Sequence, residues 1–127
     1  MSIAALCDIW RMLQHVAVEV APERVDACVA FYGLLGFAPV SVPASLRGRA
    51  TWVQNGPTQV HLMRVQDPVV PPRGHLAVVA TDYAGTLAAL RAAGHAVRAR
   101  REHWGSPRSY VRDPAGTLVE VMAAPPG

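Results

Sequence analysis

Lysine is absent from this chain, and all twelve basic residues are arginine. Against nine acidic residues they leave a net charge of +3. The only basic cluster, Arg98-Ala99-Arg100-Arg101, has no aromatic residue inside it and no reading motif beside it, so no nucleic-acid partner is expected. A composition biased towards Ala, Arg, Gly and Pro accounts for the charge. Cysteine is scarce. Cys7 and Cys28 lack Cys-x-x-Cys spacing, and both are expected to stay reduced in a cytoplasmic protein. No apolar run reaches the roughly 18 residues needed to cross a bilayer, so no membrane partner is expected. The stretch Ile3–Cys7 has no basic residue before it and makes a poor signal peptide.

Half of the 127 residues are apolar, enough for one globular domain with a sizeable core. That domain repeats itself. His15-Val16-Ala17-Val18 recurs as His75-Leu76-Ala77-Val78, and Thr58-Gln59-Val60-His61-Leu62-Met63 recurs as Thr117-Leu118-Val119-Glu120-Val121-Met122. Between them, Val29-Ala30 and Gly36 match Leu87-Ala88 and Gly94. Residues 1–12 have no counterpart and form an N-terminal extension. Residues 13–127 form a single domain: module one over 13–66, a proline-rich linker over 67–73, and module two over 74–123.

Alternation over 13–20 predicts a strand. Pro22 then opens a helix whose apolar stripe is Val25, Cys28, Val29, Tyr32 and Leu35, closed by Gly36. Strands follow near 37–42, 49–54 and 58–64. The second half repeats this order, with a strand at 74–80, a helix at 82–93 capped by Thr81 or Asp82, and strands near 95–100, 107–112 and 117–122. Asp113-Pro114-Ala115-Gly116 is a turn. Core packing is the plain expectation for Cys28, and a surface or loop place for His95 and His103. The predicted fold is α+β, with two tandem βαβββ modules. Their eight strands form an incomplete barrel around a cleft, and the helices lie outside.

Each repeat carries a metal-type side chain at an equivalent point: His15, His61, His75 and Glu120. Strand alternation puts these four opposite the branched aliphatic residues, hence on the face without helices. Imidazole and carboxylate suit one divalent ion of Fe, Zn, Ni, Mn or Co. His15, His75 and Glu120 make a triad that leaves positions open for substrate. His61 either completes the set or acts as acid or base. Trp52 and Tyr110 hold matching strand positions. With Trp104 and Arg108 they form a candidate wall for a small anionic or aromatic oxygenated molecule.

The motifs together resemble the vicinal oxygen chelate superfamily over roughly residues 12–123. The resemblance rests on His15-Val-Ala-Val, Phe31-Tyr32-Gly33-Leu34-Leu35-Gly36-Phe37, Gly74-His75-Leu76-Ala77 and Tyr110-Val-Arg-Asp113-Pro114-Ala-Gly116-Thr-Leu-Val-Glu120. Members include glyoxalase I, methylmalonyl-CoA epimerase, extradiol dioxygenases, fosfomycin-resistance thiol transferases and bleomycin-resistance proteins. It implies His15 and His75 as first- and fifth-strand ligands and Glu120 as the last-strand carboxylate. His61 falls where glyoxalase I has Glu and the epimerase has Gln. The resemblance also implies a homodimer, in which His15 and His61 of one chain meet His75 and Glu120 of the other; the alternative is a cleft that closes within one chain. The expected function is that of a metal-dependent lyase or isomerase, thiol transferase or dioxygenase acting on a vicinally oxygenated small molecule, with His61 and Glu120 as catalytic groups. The alternative is a non-catalytic drug-sequestering protein of the bleomycin-resistance type.

Overall fold

The computed structural model describes residues 13–127. The extension 1–12, with Cys7, lies outside the described residues. Module one runs β1 (His15–Val20), a 3-10 turn (Pro22–Arg24), α1 (Val25–Leu34), β2 (Ala38–Val40), β3 (Ala50–Asn55) and β4 (Thr58–Arg64). Module two runs β5 (His75–Val79), α2 (Tyr83–Ala92), β6 (Arg98–Arg100), β7 (Arg108–Arg112) and β8 (Leu118–Met122). The expected element order is present in both halves. Pro22 sets a 3-10 turn and the α-helix proper starts at Val25, because Ala21 offers no side-chain cap to the first turn.

Each module makes its own four-stranded sheet, ordered β1-β4-β3-β2 and β5-β8-β7-β6. In both, the first strand pairs in parallel with the last and the remaining pairs are antiparallel. The sheets do not close into a barrel. β1 and β5 instead flank a narrow seam of about 310 Å³. Both helices end alike. Phe37 N–H donates to the Tyr32 carbonyl and His95 N–H to the Leu90 carbonyl. Gly36 and Gly94 sit at φ +88° and +92°, the left-handed conformation that this helix ending needs. The Asp82 carboxylate caps α2 by accepting from Gly85 N–H. No helix among the described residues is long and apolar enough to cross a membrane.

The helices cover one face of their sheets, and a single core runs through both modules. It contains Cys28, Phe31 and Tyr32 from α1, Leu87 and Leu90 from α2, and Val53, Leu62, Val119 and Val121 from the strands. Each such side chain contributes about 1.5–3 kcal/mol on burial. Cys28 packs as expected, and burial, then Asp113, push its thiol up to about 12. His95 stands in the loop ahead of β6, as expected, and lies edge-on to Phe31 at 5.0 Å, so it joins the two modules. A second stitch is polar. Tyr32 Oη donates to Asp113 Oδ2 at 2.7 Å, while Asp113 Oδ1 accepts from Ala115 and Thr117 N–H inside its own turn. Burial raises the Asp113 carboxyl above its ordinary range, and the Tyr32 bond opposes that rise.

Tyr32→Phe removes this bond and leaves Asp113 Oδ2 without its partner. Chemical denaturation at neutral pH should show a loss of about 1–3 kcal/mol. An unchanged midpoint would mean that the bond contributes nothing to holding the modules together.

Candidate functional site

On the bare face of the first sheet, cross-strand register brings three rings into one stack. Trp52 on β3 lies directly opposite His61 on β4, with centroids 4.1 Å apart and planes 6° from parallel. His15 on β1 stacks on the other side of His61 at 4.0 Å and 11°. An amide relay holds the middle ring. Gln59 Nε2 donates to Gln54 Oε1 at 2.7 Å, so Gln59 Oε1 is free to accept from His61 Nε2–H at 2.7 Å. The proton on His61 therefore sits on Nε2, and the Nδ1 lone pair has no partner among the described residues. Burial, then the neighbouring His15, lower the His61 pKa below 6.5. His15 itself is exposed, and Gln14 engages its Nδ1. The indole N–H of Trp52 is buried without an acceptor among the described residues.

The bare face of the second sheet is organised around Glu120. His75 Nε2 lies 3.1 Å from Glu120 Oε1, and Arg108 Nη1 donates to Oε2 at 3.3 Å. The Arg73 carbonyl, 3.0 Å from His75 Nδ1, accepts its proton. His75 therefore turns Nε2 towards a carboxylate, an arrangement that needs a proton or a cation between the two groups. Arg108 is buried and donates through Nε to the Arg101 carbonyl at 2.8 Å. Tyr110 and then Glu120 raise its pKa further, so it stays charged. Tyr110 stands opposite Glu120 on the neighbouring strand, 5.4 Å from the His75 ring. Trp104 lies under the Arg108 guanidinium at 5.9 Å, and its N–H donates to the Ala124 carbonyl. A cavity of about 800 Å³ opens on this face, bounded by His75, Tyr110 and several arginines.

The eight residues singled out from the sequence thus form two clusters, one per sheet: His15, His61 and Trp52, and His75, Glu120, Arg108, Tyr110 and Trp104. The four candidate metal ligands lie in two pairs, and no group of three or more His, Cys, Asp or Glu that could hold a metal occurs among the described residues. The stacked pair cannot share an ion as placed. Ring lone pairs lie in the ring planes, and nearly parallel planes 4.0 Å apart do not meet at a common point about 2.1 Å from both nitrogens. Arg108, expected to touch substrate, has its guanidinium engaged with Glu120 and with backbone. The Gln54–Gln59 relay escaped sequence reasoning, because two amides two places from Trp52 and His61 gain meaning only through register. Glu19 accepts from Val69 N–H and ties down the linker.

The family model for the glyoxalase-like domain matches residues 15–122. No curated protein sequence matches the chain. Among solved structures, a Bacillus anthracis protein assigned to the glyoxalase family is 26% identical with a TM-score of 0.79, over 87% of this chain and 93% of that one. Lactoylglutathione lyase from Agrobacterium tumefaciens is 23% identical with a TM-score of 0.68, over 87% and 92%. The bleomycin resistance determinant encoded on transposon Tn5 is 19% identical with a TM-score of 0.60, over 84% and 94%. The last two are likenesses of fold alone.

The ring stack carries its own test. In a histidine titration followed by NMR, His61 should titrate below 6.5, and His15→Ala should move it back upwards. With the folded value lowered, the unfolded chain binds this proton first, so the group costs stability as pH falls below 6.5. A His61 that titrates at or above that value contradicts the arrangement.

Proposed function

Because the chain belongs to the glyoxalase-like domain family of the vicinal oxygen chelate superfamily, we propose that it is a divalent-metal-dependent enzyme for a small, vicinally oxygenated substrate. In this reading the first sheet of one subunit faces the second sheet of another in a homodimer. His15 of one chain then joins His75 and Glu120 of its partner around one ion of Fe, Zn, Ni, Mn or Co. The donor types fit such an ion, and the separation of the pairs within one chain is the reason for invoking two chains. A twofold dimer forms two equivalent sites at once. It would also give cover to Leu13 and Val69, each 71% exposed.

The observation that carries the reading is the His75–Glu120 pair. Its imidazole is held by the Arg73 carbonyl so that Nε2 faces a carboxylate oxygen, as a ligand pair requires. When bound, the metal supplies Lewis-acid stabilisation of negative charge on a substrate oxygen. The chain's own residues supply the rest. His61, neutral and fixed by Gln59, offers Nδ1 to take a proton from the substrate. Arg108 positions Glu120 through Oε2. Trp52, Tyr110 and Trp104 give the cleft apolar walls that exclude water and orient a flat molecule. Proton movement beside a chelated oxygen suits lyase or isomerase chemistry, and the same cleft accommodates thiol transfer or ring cleavage.

Metal analysis and light scattering on protein purified without an affinity tag test this reading. The expected result is a dimer with about one divalent ion per chain, lost in His75→Ala and in Glu120→Ala. A substoichiometric metal content that neither substitution alters would remove the enzyme reading and leave small-molecule sequestration, the bleomycin-resistance type of function. A monomer would remove the shared site.

A further inference from the structure

The two halves of the repeat differ in one systematic way on their bare faces. Register fixes the equivalences, since Trp52 opposes His61 as Tyr110 opposes Glu120. Counting outwards from these anchors, Val40 corresponds to Arg98, Val42, just past β2, to Arg100, Ala50 to Arg108 and Gln54 to Arg112. Each of these four positions is uncharged in module one and an arginine in module two. Arg108 is engaged with Glu120. Arg98, Arg100 and Arg112, together with Arg73 and His75, line the cavity of about 800 Å³, and among the described residues no carboxylate lines it. Arg100 stacks on the Tyr110 ring at 5.1 Å, and Arg112 gives one guanidinium hydrogen to the Gly116 carbonyl. Among the described residues none of these four arginines makes a salt bridge, although the chain has nine acidic residues.

Four unneutralised guanidinium groups around one cavity repel one another, and the fold gains nothing from this. Protection of a sheet edge explains part of it, since β6 is an edge strand and charge discourages edge pairing. It does not explain Arg112 on the inner strand β7 or Arg73 ahead of β5. The corresponding edge strand of the first sheet, β2, carries Pro39 and no charge.

We infer that this cavity is a subsite for a compact dianion: the substrate of the cleft carries a phosphate monoester or a dicarboxylate on a flat or ring-bearing body. Guanidinium forks bind such oxyanions in pairs, and Tyr110 gives the body an apolar surface beside them. The inference rests on the reading of the cleft as a small-molecule site, but not on the metal.

Isothermal calorimetry on the full chain at pH 8, without added metal, tests it with three probes. Phenyl phosphate and phthalate are dianions, and benzenesulfonate is a monoanion of similar size. Either dianion should bind at least about tenfold more tightly than benzenesulfonate, and the tighter of the two identifies the group recognised. Arg98→Gln/Arg112→Gln should weaken dianion binding about tenfold or more, while the charge-matched Arg47→Gln/Arg49→Gln, on an exposed turn of module one, should not. Equal affinity for the three probes overturns the inference, and so does an equal loss in both double variants. Dianion preference in a protein whose metal analysis shows no site that His75→Ala or Glu120→Ala alters would leave this subsite standing and remove the metalloenzyme. A metal-loaded protein without dianion preference would do the reverse.

Discussion

Side chains on a strand alternate between two faces, and in each module a helix takes one of them. What remains is one bare face per sheet, and the chemistry of the protein has to be placed there. The constraint has a second consequence. Duplication repeats the placement, so a ligand on β1 has its twin on β5, and one on β4 has its twin on β8. Within one chain the twins lie on separate sheets, and His15–His61 and His75–Glu120 form two pairs. The buried Tyr32–Asp113 bond and the shared core hold the sheets in this relation, so neither pair can swing towards the other without breaking the core.

The two faces have become complementary. The first is uncharged at its centre: three stacked rings and an amide relay keep His61 desolvated and neutral. The second is cationic, with a single carboxylate shared between His75 and Arg108. In the proposed dimer the two faces meet across one cleft, and His61 would serve as the base opposite an anion-attracting surface. Neither face has the full set alone. Among the described residues, no carboxylate is hydrogen-bonded to the imidazoles of the first, and the second has one imidazole.

Much of this was legible because the repeat acts as an internal check on strand phase. Val16 and Val18 against His15, and Val119 and Val121 against Glu120, fix the buried face at both ends of the domain, and the helices follow from their stripes and glycine endings. The Asp113 turn was readable from its residue types, but the Tyr32 partner of its carboxylate was not, since 81 residues separate them. The arginine face escaped notice for a related reason. β6 has three residues, all exposed, and no apolar alternation to phase it, so Arg98 and Arg100 read as a surface cluster until pairing with Tyr110 and Arg108 set their side. The split of the four ligands into two pairs is a property of how the modules pack, which a spacing of 59 or 60 residues does not encode.

The central claim is that one complete site takes His15 from one chain and His75 and Glu120 from the other. Co-expression of a His15→Ala chain with a Glu120→Ala chain tests it directly, with bound metal as the readout. Each variant alone has a defect in both of its sites and should bind none. In a mixed dimer both defects fall in one site and the other is intact. Random pairing should therefore restore about a quarter of the wild-type metal content. A mixture as empty as its two components, beside a wild-type protein that binds metal, would contradict the shared site.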